Sequence, residues 1–501
     1  MNVIRFYIND QPVEESSVPP TTTVLQYLRE HLALTGTKEG CAEGDCGACT
    51  IVIADPHGPQ ARPSFRAVNS CILLLPMIDG KRIYTVEGLS TSQGLHPSQQ
   101  ALVRHAGSQC GYCTPGVVMS LFEACYRQDL EPADRPRKLN DQLCGNLCRC
   151  TGYRPIRDAL QEIAGSVPAD RFTATLNGLA DPRANGTPGG ASAPARITYE
   201  AAGQRFFRPG SLATLFDLMD EYPDHRLVSG ATDLGLDVTK RHTRFPSLIS
   251  LESVAELRGI SRAGDRWRIG ATTPLTDLEA ATEGILPPLS RMLRYFGSRQ
   301  IKHQATVGGN LCNASPIGDL PPVFLALDAS VTLASRGGNR SVPISEFFVD
   351  YRRTALAPGE LLTSIEFDAP QPGWRIASYK VSKRRELDIS AVSAGLAVHV
   401  SDTGQVLAAR LAYGGMAATP SRASRTEAAL IGQIWSPTTV QAAATHLDLD
   451  FQPMDDQRAS AWYRCTLARN LLIGFYDETQ SQAVPDLPAL PSGTVLPGGP
   501  Q

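Results

Sequence analysis

The 501-residue sequence has no long apolar run, no excess of either charge and no apolar leader at its start. Its longest hydrophobic stretch, residues 71–78 (CILLLPMI), is far short of the roughly 20 residues that span a bilayer, so no membrane segment is expected. Lys and Arg number 47 against 50 Asp and Glu, a formal net charge of −3. That balance provides neither the basic footprint of a nucleic-acid binder nor an acidic tail. Residues 1–13 (MNVIRFYINDQPV) alternate as a strand does and lack the features of a secretory signal, which leads to the expectation of a cytoplasmic protein. Two nucleotide-binding signatures are also missing. No G-x-G-x-x-G is present, which removes a Rossmann dinucleotide fold. Gly230 and Gly235 are spaced like a P-loop, but Leu236 and Asp237 follow where Lys and Ser or Thr belong.

What is present is cysteine, unevenly placed. Eight of the 12 cysteines fall into two groups within the first third of the chain, a pattern of metal ligation rather than of a disulfide framework. The first group is Cys41, Cys46 and Cys49 in one loop, interleaved with Gly40, Gly44 and Gly47, with Cys71 arriving from a later segment. Glycines let the backbone wrap closely and aim N–H groups at sulfur, and this spacing matches the plant-type [2Fe-2S] pattern. A structural zinc site, the alternative, usually brings its ligands as separated pairs.

The second group is Cys110 and Cys113, answered by Cys148 and Cys150. Thr114 and Pro115 open a helix whose apolar stripe is Val118, Leu121, Phe122 and Cys125; a second helix begins near Pro155 with Ile156, Leu160 and Ile163 inward. Two helix N-termini therefore face one anionic centre. Cys144 competes for a ligand place, but the turn residues gather around Cys148 and Cys150, which are preferred. Cys125, Cys312 and Cys465 read as packing residues.

A chain of 501 residues exceeds what one core usually organises, so three or four domains are expected. Val3 to Ile8 reads as a strand opening a hairpin, and Val24, Leu25, Leu28 and Leu32 share a helical face behind a threonine cap. Residues 166–198, rich in Pro, Gly and Ala, read as a linker. Beyond it lie two glycine loops. Residues 227–234 (LVSGATDL) resemble a strand running into a phosphate-binding turn. Residues 305–319 carry Thr306, Gly308, Gly309 and Asn310, which read equally as a pyrophosphate cradle or a tight hairpin.

The segments GCAEGDCGAC, SQCGYCTPG and GNLCRCTGYRPI resemble those of the xanthine oxidase and dehydrogenase family of molybdenum hydroxylases. The resemblance implies an α+β multidomain fold. Its parts are a β-grasp [2Fe-2S] ferredoxin domain (1–85), a four-helix [2Fe-2S] domain (86–165) and the linker (166–198). An α+β FAD-binding domain of the PCMH/CO-dehydrogenase-flavoprotein type (199–375), an α+β C-terminal cap (376–480) and a disordered tail (481–501) follow. The resemblance also implies that Leu227, Val228, Ser229, Gly230, Ala231, Thr232, Asp233 and Leu234 line one side of FAD. Thr306, Val307, Gly308, Gly309 and Asn310 would hold its pyrophosphate, and Asp319, Leu362 and Lys380 would complete the shell. Phe296 would lie where the nicotinamide of NAD docks, and Gln109 would face a pterin on another chain. The basic run Lys383, Arg384 and Arg385 reads as a solvated face from composition and as a mobile loop beside the flavin from the resemblance. Leu387 stands where some relatives carry an acidic residue, which leaves the choice between NAD and oxygen open.

Single-chain members of that family continue into a molybdenum domain, and this sequence does not. The implied arrangement is an iron–sulfur and flavin subunit with no catalytic residue of its own, paired with a large molybdopterin-bearing subunit in a heterotetramer of two small and two large chains. Electrons from hypoxanthine or xanthine, oxidised to urate, would pass through both clusters and FAD to NAD. Two readings share these motifs: a related aldehyde or N-heteroaromatic hydroxylase, and a stand-alone electron carrier.

Overall fold

The structure, a computed structural model, describes residues 3–56, 62–92, 94–130, 135–180, 196–385, 387–480 and 484. Its organising strand is Thr50–Asp55, whose sequence TIVIAD is apolar at nearly every position and buried on both faces. That pattern belongs to a strand covered on two sides rather than one. Ile51 and Ile53 point into a core shared with Tyr199, Phe206 and Leu248 of the later chain, while Val52 and Ala54 point into a core shared with Val117, Leu121 and Phe122. One sheet thus serves as the partition between two other regions.

The sheet runs Gln11–Glu15, Ile4–Ile8, Arg82–Tyr84, Thr50–Asp55, Ser64–Asn69. The first two strands form the expected antiparallel hairpin, and Ile4–Ile8 lies parallel to Arg82–Tyr84. Thr23 caps the helix Val24–Gln26, its hydroxyl accepting the Gln26 N–H at 3.2 Å, and the chain continues as a π-helical turn, Tyr27–His31. Val24, Tyr27 and Leu28 pack on Ile4, Phe6 and Ile8.

Four helices follow: Pro97–Arg104, Thr114–Tyr126, Arg135–Leu143 and Arg154–Ile163. The stretch read as a linker needs correction. Arg171–Ala180 is a fifth helix, with Phe172 and Leu176 four residues apart and buried against Phe65, Tyr84 and Phe122. Arg196–Ala201 is already a strand. Residues 181–195 lie outside the described residues, as does the tail 481–501 apart from Val484.

Two sheets form the next region, one of Arg196–Ala201, Gln204–Pro209, Ser247–Ser250 and Arg226–Val228, the other of Ile260–Ala263, Arg266–Gly270, Leu361–Asp368, Ser330–Ser335 and Gly338–Pro343. The last region is a four-stranded sheet, Trp374–Val381 to Ser421–Arg422, backed by helices that end with Ala461–Glu478.

Charge as well as apolar area joins these regions. Glu123, on helix Thr114–Tyr126, is wholly buried and accepts from Arg299 Nε at 2.7 Å and from Gln142 Nε2 at 2.9 Å. Arg66 Nη2 reaches Asp277 at 2.9 Å, and His303 Nδ1 lies 2.7 Å from the Ala67 carbonyl. Among the described residues no helix is long and apolar enough to cross a membrane.

Candidate functional site

The loop from Gly40 to Cys49 builds the first site. Backbone N–H groups of Glu43, Asp45 and Cys46 donate to Cys41 Sγ at 3.4, 3.3 and 3.3 Å, and a Cβ on Gly40 would come within 2.7 Å of Cys46 Sγ. The Cys41 thiol lies beside those of Cys46 and Cys71, which, with the N–H groups of Glu43 and Cys46, drive it toward the thiolate. Cys71, buried, also lies beside Cys49. Asn69 braces the loop by donating to the Gly44 carbonyl at 2.8 Å.

The second site is made at two helix starts. Cys113 immediately precedes Thr114–Tyr126, and Cys150 lies four residues before Arg154–Ile163. Cys110 sits beside Cys150, and Cys113 beside Cys148. Burial and Cys148 push the Cys113 thiol up to about 12. Cys148 is held below its ordinary value; burial opposes this, and the Thr151 hydroxyl at 3.1 Å with nearby N–H groups outweighs it. Cys110 and Cys150 are exposed, as are Gln109, Tyr112 and Leu147. Cys144 lies just past helix Arg135–Leu143, its N–H donating to the Asp141 carbonyl.

Among the described residues no three His, Cys, Asp or Glu side chains converge tightly enough for a single metal ion. In the first site the sulfurs form a run, Cys46 beside Cys41, Cys41 beside Cys71 and Cys71 beside Cys49, and in the second they form two pairs. Eight soft donors so grouped, with amide N–H groups aimed at sulfur, fit two-iron centres better than mononuclear zinc.

The two sites touch. The Leu147 N–H donates to the Cys46 carbonyl at 2.9 Å, joining a residue of one group to the neighbour of a residue in the other. The approach is possible because three glycines meet there: a Cβ on Gly47 would overlap the Gly145 carbonyl oxygen, and one on Gly116 would overlap the Gly47 carbonyl oxygen. On its far side the first loop meets helix Leu234–Arg241, where Thr239 Oγ1 donates to the Ala42 carbonyl at 2.7 Å and Lys240 to that of Cys41.

That helix closes the first glycine loop. Leu227 and Val228 end a strand, residues 229–233 turn, and Leu234 begins the helix. Ala231 is left-handed at φ 58°, and among the described residues the N–H groups of Gly230, Ala231, Thr232 and Asp233 donate to no protein acceptor. Four consecutive open amides form a cradle for an anion. The second loop is not a hairpin: Thr306 caps the helix Val307–Cys312, accepting the Gly309 N–H at 3.2 Å. Asn310 Oδ1 is buried without a partner. The loops abut, since a Cβ on Gly230 would overlap the Gln304 carbonyl. The four open amides of the first loop fit a dinucleotide's pyrophosphate; in the second loop the N–H groups of residues 307–310 are all taken, by the carbonyls of Thr273, Ala271 and Thr306 and by the Thr306 hydroxyl.

The other expected residues are placed less uniformly. Lys380 and Asp319 form a buried pair at 2.8 Å, with Ser390 also donating to Asp319. Leu362 is buried in strand Leu361–Asp368 within the core of Val307 and Leu311. Phe296 packs partly buried on that core. Beside it, Tyr295, Lys380 and residues 381–385 line a cleft of about 260 Å³, with the Arg385 guanidinium 5.6 Å from the Tyr295 ring. The Leu387 N–H reaches the Gly297 carbonyl at 3.4 Å. Cys125 is buried as expected, Cys465 half-buried, and Cys312 is exposed rather than packed. Sequence reasoning missed Asn69, Asn146, Thr239, Lys240 and Gln300. Asn69 and Asn146, two residues before Cys71 and Cys148, had neighbours that could have drawn notice.

Four families match this chain in series. "2Fe-2S iron-sulfur cluster binding domain" covers residues 6–75, "[2Fe-2S] binding domain" 85–161, "FAD binding domain in molybdopterin dehydrogenase" 199–370, and "CO dehydrogenase flavoprotein C-terminal domain" 377–479. Xanthine dehydrogenase of Emericella nidulans is 33% identical over 96% of this chain, and xanthine dehydrogenase/oxidase of Rattus norvegicus 32% identical over 94%. The chain belongs to the xanthine dehydrogenase family. Within that family it corresponds to the iron–sulfur and flavin portion, spanning 39% and 38% of those two relatives' lengths. Among solved structures, a carbon monoxide dehydrogenase chain from Hydrogenophaga pseudoflava is 27% identical, with a TM-score of 0.51, over 54% of this chain and 94% of its own. A chain of quinoline 2-oxidoreductase from Pseudomonas putida 86 (24% identical, TM-score 0.51, covering 55% of this chain and 96% of its own) shares the fold.

Proposed function

We propose that this chain is the electron-transfer subunit of a xanthine dehydrogenase, oxidising hypoxanthine and xanthine to urate with NAD as acceptor. A separate large subunit carries the molybdenum cofactor, in a cytoplasmic heterotetramer of two small and two large chains. The observation that carries the reading is an unbroken series of contacts: Leu147 N–H to Cys46 carbonyl at 2.9 Å, then Thr239 hydroxyl to Ala42 carbonyl at 2.7 Å. It runs from the exposed cysteine site, through the enclosed one, to the helix behind the glycine loop.

When bound, two [2Fe-2S] clusters would supply one-electron carriers and FAD the conversion to two-electron hydride chemistry. Cys41, Cys46, Cys49 and Cys71 hold the enclosed cluster, and Cys110, Cys113, Cys148 and Cys150 the exposed one. The open amides of residues 230–233 would hold the pyrophosphate of FAD, with the Thr306 to Asn310 turn packed against them. The buried Lys380–Asp319 pair fixes a charged wall beside that site. Tyr295, Phe296 and the basic residues 383–385 shape the cleft that admits the acceptor. Gln109 and Tyr112, exposed next to Cys110, face the partner.

The complex purified with the large subunit is expected to contain molybdenum, about four irons per small chain and FAD, and to form NADH from xanthine. Turnover of an aldehyde or an N-heterocycle without NADH formation from xanthine would move the assignment to a related hydroxylase. A preparation with iron and flavin but no molybdenum partner would make it a stand-alone carrier.

A further inference from the structure

Between the two cysteine sites lies a side chain that belongs to neither. Gln300, in the short helix Arg299–Lys302 of the flavin-binding region, is completely buried. Its Nε2 donates to Ser120 Oγ at 3.1 Å and to Asn146 Oδ1 at 3.0 Å, two residues before Cys148. The Ser120 hydroxyl donates to the same Asn146 oxygen at 2.6 Å. Asn146 in turn donates to the Gly47 carbonyl at 3.2 Å and to the Thr50 hydroxyl at 3.3 Å, on either side of Cys49. One amide of the third region therefore holds the contact between the first two.

The price of this arrangement is visible. Gln300 Oε1 is buried without a hydrogen-bond partner, resting over Gly145, where any Cβ would overlap it. A buried amide oxygen left unpaired destabilises a fold, and an apolar side chain of equal length would avoid that cost. Packing alone does not account for glutamine at this position; the two bonds made by Nε2 do.

We propose that Gln300, acting through Asn146 and Ser120, is a positioning residue that fixes the contact between the Cys46 carbonyl and the Leu147 N–H, and with it the coupling between the two iron–sulfur centres. The proposal rests on the reading that the eight cysteines hold two such centres. Magnetic interaction between neighbouring paramagnetic centres depends steeply on their separation and on the bonded path between them. Loosening Asn146 would lengthen that path without touching a ligand.

The test is electron paramagnetic resonance of the full holoprotein reduced with dithionite, comparing wild type with Gln300→Met and Ser120→Ala. Wild type is expected to show two [2Fe-2S] signals split by mutual interaction. Gln300→Met is expected to keep its iron and FAD and lose that splitting, and Ser120→Ala to reduce it. Full iron content with unchanged splitting in Gln300→Met would overturn the proposal. If Gln300→Met loses iron, Ser120→Ala decides in the same way. Two signals without interaction in wild type would also overturn it. Absence of any [2Fe-2S] signal in wild type would instead remove the underlying reading, and this proposal with it.

Discussion

The two cysteine sites use the same ligand type and differ in almost everything else. In the first, Cys49 and Cys71 are buried, three N–H groups serve one sulfur, and a helix from a distant region lies over the loop. In the second, Cys110 and Cys150 are exposed, flanked by exposed Tyr112 and Leu147, and helix starts take the place of the enclosing loop. Enclosure suits a centre that exchanges electrons only within the chain. Exposure suits one that must meet something outside it.

The contrast makes predictions of decreasing size. Cys71→Ser, at a buried position shared by the first loop and the helix behind the glycine turn, is expected to remove about two of four irons, weaken FAD retention and abolish NADH formation. Iron and flavin analysis, with an assay of the complex, checks this. Cys110→Ser should likewise remove about two irons and abolish turnover, yet leave FAD bound and the thermal midpoint closer to wild type, because its side chain packs against little. Equal destabilisation by the two changes would break the comparison. Gly47→Ala places a Cβ on the Gly145 carbonyl oxygen at a backbone φ of +71°, and is expected to cost about 2–4 kcal/mol in denaturant unfolding while perturbing both centres.

The last effect concerns acid and leaves both centres untouched at neutral pH. Burial among Phe122, Tyr126 and Phe172 lowers His96 to about 4, with Asp170 opposing the shift. The folded state therefore keeps His96 neutral while the unfolded chain takes up a proton below pH about 6.5. Stability is expected to be fully present above that pH and to fall by about 3 kcal/mol as pH drops to about 4. Thermal midpoints across this window should show a shallower fall for His96→Gln. An identical slope would mean that the helical region does not carry this acid sensitivity.

Much of the cofactor-binding architecture was legible because its signals are local. The cysteine spacings, Thr23 before an apolar turn, Pro115 at a helix start, and Ile156, Leu160 and Ile163 on one face all act within a few residues. The helix Arg171–Ala180 was hidden because only two of its described side chains, Phe172 and Leu176, are fully buried, next to a Pro- and Gly-rich run, and its further ties through Leu179 and Arg171 are to distant residues. The second glycine loop could have been a hairpin or a helix start until Thr306 was seen capping Gly309. Gln300 had no local signature at all, and Asn146 showed only as one turn residue beside Cys148. They meet across 154 residues of sequence, and only tertiary packing makes an ordinary amide into a junction.

Glu123 carries one further consequence. Its carboxylate has no access to water and is met by Arg299 from another part of the chain, so opening the seam would break this pair, and truncating Arg299 alone would leave the charge buried and short of its partner at a cost of about 3–5 kcal/mol. Partial opening at that seam is thereby disfavoured. On heating, flavin fluorescence and the visible absorbance of the iron centres should change in one shared transition, so that damage to either pigment registers in the other.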